Sequence, residues 1–155
     1  MRRIQAIQEV CIGCRLCEVW CKVEHSEHKH VIKSFKREKP VARLLVEESG
    51  PESFALQCRH CDEPDCVFGC ITGAMTRDPT TGIVSVDQDK CVGCWTCILM
   101  CPYGAISRGD GSTQKAVKCD LCPEREIPAC VENCPNRALI LVDEETAEAA
   151  MEDAA

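Results

Sequence analysis

Aromatic side chains and long apolar runs are scarce in this chain of 155 residues. Only six residues are aromatic, and the longest aliphatic tract is ALILV at 138–142. A bilayer-spanning helix needs roughly 18 consecutive apolar residues, so we expect no membrane span, and the short tract fits a buried strand. Six aromatic residues are also too few to anchor a conventional core of this length. Something other than apolar side chains must therefore stabilise the fold.

Several functional signatures are also missing. The sequence contains no GxGxxG fingerprint and no phosphate-binding loop with its lysine, so we expect any nucleotide or flavin to sit on another subunit. The first ten residues, MRRIQAIQEV, lack the apolar region of a secretory signal, which favours a cytoplasmic location. Positive charge is in short supply, with a formal net charge of -7. Such an acidic chain is a poor candidate for nucleic-acid binding.

Cysteine is abundant: sixteen cysteines form four groups of four, and each group ends with the same three-residue gap. The first and third groups have the spacing of the bacterial ferredoxin run, and the third is also followed by the conventional proline, Pro102. The second and fourth groups widen the middle gap. The groups are Cys11, Cys14, Cys17, Cys21; Cys58, Cys61, Cys66, Cys70; Cys91, Cys94, Cys97, Cys101; and Cys119, Cys122, Cys130, Cys134.

This spacing suits 4Fe-4S clusters. Closely spaced thiolates can wrap one corner of a cluster, and the fourth ligand then comes from elsewhere; in two-cluster ferredoxins the last cysteine of each run ligates the other cluster. Sixteen thiolates suffice for four clusters. Each ligated cluster would add about -2 to the net charge, giving about -15 in total. Cluster binding would then supply much of the folding free energy.

Three other uses of cysteine fit the spacing less well. Structural zinc sites usually separate two CxxC pairs by roughly 15 to 20 residues, whereas the first and third groups are compact. Disulfides need an oxidising compartment, and the first ten residues lack the secretory signal that would lead to one. A radical-generating cluster would need a C-x3-C-x2-C order, and that last position holds Glu24, Gly73, Gly104 or Arg137. A zinc-stabilised interaction module without redox activity is the alternative that we retain.

A short repeat follows three of the closing cysteines. The sequences ITGAM, PYGAI and PNRAL each place a small and then an apolar residue at fixed offsets, as expected of a chain that leaves a cluster and enters a strand. After the first of them, Asp78, Pro79 and Gly82 indicate a turn, and IVSVD alternates like a strand. A hairpin between Cys70 and Cys91 would join the second and third groups into one two-cluster module.

With four such motifs in this order, the chain resembles the four-cluster iron-sulfur subunits of the dimethyl sulfoxide reductase, formate dehydrogenase and hydrogenase families. It resembles more closely the small iron-sulfur proteins associated with CO dehydrogenase and tungsten aldehyde oxidoreductase. The resemblance covers about residues 4–142. It implies an α+β fold of two interleaved bacterial ferredoxin-like modules, with short hairpins and helices around clusters that largely replace the core. We expect an outer module at 1–57 and 102–142, an inner module at 58–101 and an acidic tail at 143–155.

The resemblance also implies how the cysteines combine into clusters, with each closing cysteine exchanged between two groups. Its four ligand sets, numbered here as sets 1 to 4, are Cys11, Cys14, Cys17 and Cys134; Cys21, Cys119, Cys122 and Cys130; Cys58, Cys61, Cys66 and Cys101; and Cys70, Cys91, Cys94 and Cys97.

The function that the resemblance implies is electron transfer without catalysis. The partner would be a catalytic oxidoreductase subunit, either a tungsten or molybdenum aldehyde or formate enzyme or a CO dehydrogenase. A flavin, NAD or hydrogenase subunit could receive the electrons, and self-association into longer chains is open.

The segment between Cys21 and Cys58 carries the remaining polar candidates. His25, His28 and His30 could bind a metal, although we expect an exposed polar loop there. The basic residues of 29–43 are either a solvated surface or a docking site, and 41–46 has the pattern of a strand. Further along, His60 is either a partly exposed spacer or a residue that tunes a cluster potential. Trp95 and Tyr103 would either shield clusters from water or take part in electron transfer.

Overall fold

The computed structural model describes residues 2–109 and 114–143, so most of the acidic tail lies outside the described residues. Within them the chain forms five short helices, one 3-10 turn at Gln8–Val10 and four two-stranded antiparallel sheets. None of the described helices is both long and apolar enough to cross a bilayer. The helices are α1 Leu16–Glu24, α2 Val31–Arg37, α3 Asp65–Phe68, α4 Thr96–Met100 and α5 Ala129–Glu132. The strands are β1 Arg3–Ala6, β2 Leu44–Ser49, β3 Glu52–Gln57, β4 Met75–Arg77, β5 Val84–Val86, β6 Ile106–Arg108, β7 Ala116–Lys118 and β8 Leu139–Val142.

The two ends of the described chain pair with each other. β1 runs antiparallel to β8, with Arg3 opposite Val142 and Ala6 opposite Leu139. The pairing continues one residue further, since the Ile7 N–H donates to the carbonyl of Ala138 at 2.8 Å. The strand expected at 138–142 is therefore confirmed. Near this sheet α1 packs against α5, so the first and fourth cysteine groups lie on the same part of the fold.

The hairpin predicted between Cys70 and Cys91 is present. β4 pairs with β5, and the carboxylate of Asp78 accepts hydrogen bonds from the N–H groups of Thr80 at 2.7 Å and Thr81 at 2.8 Å. The Gly82 N–H then donates to the carbonyl of Asp78 at 2.9 Å. An aspartate that bonds the backbone just beyond itself is a common way to initiate a turn.

The repeat after the closing cysteines is a repeat of structure. The last residues of ITGAM, PYGAI and PNRAL, which are Met75, Ile106 and Leu139, each begin a strand. In each case the third residue after the cysteine has a left-handed φ and donates its N–H to the carbonyl of that cysteine, at 3.2, 3.2 and 3.3 Å. These residues are Gly73, Gly104 and Arg137. The first group differs because α1 continues through its closing cysteine to Glu24.

Two apolar clusters make up the interior. The first joins Ile4, Leu44, Val46 and Leu139 to five cysteines, Cys17, Cys21, Cys58, Cys119 and Cys130. The second comprises Met75, Val84, Cys97, Ile106 and Ala116. Ile106 and Ala116 belong to the range that we assigned to the outer module, yet they pack against the β4–β5 hairpin. The packing around the inner groups therefore extends beyond residue 101.

The segment between Cys21 and Cys58 differs from the expectation. Helix α2 occupies part of it, and its one buried residue, Ser34, donates from Oγ to the His30 carbonyl at 2.9 Å and contacts Ser26 Oγ at 2.6 Å. The strand predicted at 41–46 runs instead over Leu44–Ser49. Arg43 lies outside it because its N–H donates to Cys21 Sγ at 3.2 Å and is not available to a neighbouring strand.

Two glycines with the same backbone conformation allow the close packing around Gly93 to be tested. Gly93 and Gly104 have φ values of 69° and 63°. A Cβ on Gly93 would meet the Gln114 carbonyl oxygen at 2.2 Å, whereas one on Gly104 would meet nothing within 4 Å. We expect Gly104→Ala to cost about 1 kcal/mol from the left-handed φ, and Gly93→Ala to cost about 2 kcal/mol more because a backbone carbonyl must move. Guanidinium denaturation followed by circular dichroism would measure both, and equal losses would contradict the close approach at Gly93.

Candidate metal centres

The four cysteine groups share one backbone feature. The residue two places after the first cysteine has a positive φ in every group, at 63°, 48°, 69° and 62°. A left-handed residue at this place turns the chain sharply between the first and second cysteines. Glycine adopts this conformation without steric cost, but the second and fourth groups use larger residues. The four residues are Gly13, His60, Gly93 and Leu121.

The first and third groups share a second left-handed residue. Arg15 and Trp95 have φ values of 58° and 64°, and each immediately precedes a helix, α1 or α4, that carries the third cysteine of its group. Cys17 and Cys97 are both buried in the first turn of these helices. Two turns followed by a helix therefore direct three thiols of each group toward one point.

Four thiols line one cavity, together with Val46, Ala55 and Leu139. Burial raises the pKa of the Cys17 thiol to about 12, and the neighbouring thiols of Cys14 and Cys134 add to the effect. Cys134 comes from the fourth group, so the fold brings the end of the chain back to its beginning. The four cysteines are Cys11, Cys14, Cys17 and Cys134.

A second cavity is lined by four cysteines and by Val84, Tyr103 and Ile106. Burial raises the pKa of the Cys66 thiol to about 11, with further contributions from nearby thiols. Cys101 belongs to the third group and also lines this cavity. It is the last residue before the turn that precedes β6. The four cysteines are Cys58, Cys61, Cys66 and Cys101.

The other eight thiols also have distinct neighbours. Burial raises the pKa of Cys130, and the thiols that add to this belong to Cys119, Cys21, Cys122 and, with the smallest effect of the four, Cys17 of set 1. Burial also raises the pKa of Cys97, and there the contributing thiols are those of Cys91, Cys70 and Cys94. The structure thus brings together the members of each of the four sets. That each set holds a cluster stays a prediction.

Backbone N–H groups point at several of these sulfurs, which suits metal-binding thiolates because hydrogen bonds favour the charged form. Cys70 illustrates the effect: burial acts to raise its pKa, but hydrogen bonds from Met75 and Thr72 lower it overall. The N–H to Sγ distances are 3.2 Å for Arg43 to Cys21, 3.4 Å for His60 to Cys58, 3.3 Å for Met75 to Cys70, 3.5 Å for Ala116 to Cys91 and 3.2 Å for Ala138 to Cys134. The donor sets therefore fit iron-sulfur clusters in number, position and charge.

His60 is not an exposed spacer. It is fully buried, and its Nδ1 accepts a hydrogen bond from the Val84 N–H at 3.0 Å. Burial, assisted by the nearby ammonium of Lys118, lowers the pKa of His60 to about 3, so the ring is neutral.

Lys118 is also buried and donates to the carbonyls of Val84 and Cys119. Sequence reasoning missed Lys118; the available signal was a lysine within a short apolar strand, directly before a cysteine.

The expected exposed loop at His25 is also wrong. His25 Nε2 lies 3.1 Å from the carboxylate of Asp120, and Nδ1 lies 2.8 Å from the Cys21 carbonyl. Burial acts to lower the pKa of His25, but hydrogen bonds, chiefly to Asp120, raise it to about 12. Arg43 contacts the same carboxylate, and the pKa of Asp120 is held well below its usual range.

The three histidines are not brought together. His28 pairs with Glu38, and His30 is an exposed residue at the start of α2. One group of potential ligand atoms, from His25, Asp120 and Cys122, lies within 4.8 Å, but its cysteine belongs to set 2. A metal site formed by the histidines alone is therefore not supported.

Residues 51–144 match the 4Fe-4S dicluster domain family. The chain belongs to this family. It is 41% identical to the electron transport protein HydN of Escherichia coli strain K12, over 92% of this chain and 88% of HydN. It is 34% identical to an iron-sulfur protein of Rhodospirillum rubrum, over 90% of this chain and 81% of that protein. The expected family and its 4Fe-4S clusters are thereby confirmed, and sixteen cysteines suffice for four of them.

A solved structure shows a similar fold. This is a chain of the active-site complex BamBC of benzoyl coenzyme A reductase, which is 22% identical and superposes with a TM-score of 0.50 over 99% of this chain and 88% of that chain. Together with the family match, it supports a small mixed fold of helices and strands with a ferredoxin-like domain. The interleaving of two modules stays a prediction.

The Asp120 interactions give a prediction about stability. Asp120→Asn removes the charge that faces both His25 and Arg43, and we expect it to lower the free energy of unfolding by about 2 kcal/mol, because hydrogen bonds between charged groups in part-buried sites contribute about this much. Asp89→Asn, an equal change at an exposed position, should cost less than about 0.5 kcal/mol. Guanidinium denaturation of both variants would measure the difference, and equal stabilities would disprove the role of Asp120.

Proposed function

We propose that this protein is an electron-transfer subunit that carries four 4Fe-4S clusters and is not itself an enzyme. The observation that carries the proposal is the grouping of all sixteen thiols into four sets of four neighbours, two of which line cavities. Each cluster would accept or release one electron at a time. The names of the relatives, among them an electron transport protein, support a relay rather than a catalyst.

The neighbours of individual thiols support a linear order of the sets. Cys130 of set 2 is influenced by Cys17 of set 1, and Cys119 of set 2 by Cys58 of set 3. Sets 3 and 4 draw on helices α3 and α4, which pack together. The order is then 1, 2, 3 and 4, and it agrees with exposure: of the sixteen cysteines only Cys14 in set 1 and Cys94 in set 4 are exposed. Electrons would enter at one of these ends and leave at the other.

The surroundings of the two ends support partner proteins there. Ile12 beside Cys14 is 63% exposed, Val92 beside Cys94 is 66% exposed, and Leu99 on α4 is 86% exposed. Apolar side chains at such positions are typical of protein interfaces. We propose that one end contacts a catalytic oxidoreductase, a tungsten or molybdenum enzyme or a CO dehydrogenase. The other end would contact a flavin, NAD or hydrogenase subunit, or a second copy of the chain, in the cytoplasm.

Metal analysis under exclusion of oxygen tests the proposal. The purified brown protein should contain about 16 iron and 16 acid-labile sulfide per chain and should give paramagnetic resonance signals after dithionite reduction. A colourless protein with zinc and no sulfide would instead identify a structural module. Turnover of a substrate by the isolated subunit would show that it is an enzyme and would refute the relay.

Helix α2 is a candidate docking surface on this acidic protein. All its residues except Ser34 are exposed, among them Lys33, Lys36, Arg37 and the apolar Ile32. A cationic surface with apolar side chains suits an acidic partner surface, which long-range attraction would bring into contact. This surface supports the interpretation of the basic residues of 29–43 as a docking site.

Charge reversal on α2 tests this role. We expect the Lys36→Glu and Arg37→Glu double variant to bind the oxidoreductase that co-purifies with the protein at least about tenfold more weakly, with a flatter salt dependence. A control double variant, Arg2→Glu with Arg3→Glu, changes the net charge equally at exposed positions outside α2 and should bind within about threefold of the wild type. Equal weakening in both would show a general effect of net charge, and no weakening would remove α2 from the interface.

A further inference from the structure

One lysine in the described part of the chain is buried and forms no ion pair with a carboxylate there. Lys118 ends strand β7 and is 2% exposed. Its ammonium donates to the carbonyl of Val84 and, at 2.7 Å, to that of Cys119. None of the ion pairs among residues 2–109 and 114–143 includes it. Burying an unpaired ammonium is costly, so a lysine at this place calls for negative charge nearby.

The thiols around Lys118 belong to two different sets. The Lys118 ammonium donates to the carbonyl of Val84, and Val84 lines the cavity formed by the thiols of set 3. Its second acceptor is the carbonyl of Cys119, a residue of set 2, at 2.7 Å. Cys58 of set 3 and Cys119 of set 2 belong to the same buried cluster. Lys118 therefore lies where sets 2 and 3 approach each other, at the step between the two halves of the proposed relay.

Other basic side chains lie near the two sets, but no other lysine or arginine in the described part of the chain is buried. His25 and Arg43 face Asp120 beside set 2, and the exposed Arg59 lines the cavity of set 3. Lys118 is buried together with the imidazole of His60. Both side chains are held by one residue, since Val84 accepts from Lys118 and donates its N–H to His60. Asp120, whose field also reaches His60, is paired with His25 and Arg43.

We propose that Lys118 is the shared counter-ion of the two middle clusters and raises the reduction potential of both. This inference rests on the proposed function, because it requires clusters in sets 2 and 3. Reduction adds one negative charge to a cluster that already carries about -2, and a fixed cation in a low-dielectric interior stabilises that charge far more than a surface cation does. One electron passes between neighbouring clusters in this step, and no bond forms or breaks.

The test compares reduction potentials in the isolated, cluster-loaded protein. Lys118→Met keeps the length of the side chain and removes the charge. We expect two of the four midpoint potentials to fall, each by at least a tenfold change in the reduction equilibrium, which is about 59 mV for one electron. The other two should stay unchanged. Lys39→Met makes the same change in net charge at an exposed position and should shift none of them. Redox titration monitored by paramagnetic resonance measures all four.

Each outcome decides between the two proposals. If the wild-type protein does not contain about 16 iron per chain, the proposed function itself is refuted. A loaded Lys118→Met protein with wild-type potentials, or with the same shift as Lys39→Met, would refute the counter-ion alone. If Lys118→Met does not retain its clusters, Lys118→Arg is compared with it. Retention of iron in Lys118→Arg, which keeps the positive charge, supports the counter-ion. Loss of iron in both variants shows that only the shape of lysine matters, and this refutes the counter-ion.

Discussion

Three thiols of each cysteine group must face one point within a short stretch of chain, and this requirement governs the backbone of all four groups. It places a left-handed residue between the first and second cysteine each time. Gly13 and Gly93 adopt that conformation freely, but His60 and Leu121 do so at a cost of about 1 to 2 kcal/mol each. Metal-thiolate bonds, whose free energy couples directly to folding, are large enough to offset this cost. The cysteine loops and the binding of metal are thus mutually dependent.

Sequence spacing was a good guide wherever structure depends on residues close together in the chain. The turn at Asp78 and the strands that begin at Met75 and Ile106 were predictable because a local hydrogen bond or a local left-handed turn determines each of them. The late start of β2 at Leu44 was not. It depends on a bond from Arg43 to Cys21, whose position is known only once α1 is packed.

Burial of polar residues was the main feature that the sequence could not reveal. His60 lies in a polar stretch between two cysteines, and Lys118 is marked only by the short apolar strand β7 that it ends. In the fold both are buried and hydrogen-bonded to Val84. The combination of cysteines into sets is likewise a feature of the tertiary fold. Spacing predicted that closing cysteines are exchanged, and the hairpin after Cys70 indicated that the second and third groups form one module. The family resemblance supplied the individual ligand sets, and the thiols that line the two cavities agree with two of them.

Charge is distributed so that surface and interior can serve different steps of a relay. The chain is acidic overall, and the cations of α2 stand out at its surface, where salt screens their effect beyond about 10 Å. They can guide a partner but act weakly on electrons in the interior. Lys118 lies away from solvent, where an interaction between charges is several times stronger at equal distance. Because a transferred electron brings negative charge into that same interior, the buried cation acts on the transfer step, and the surface cations on the encounter that precedes it.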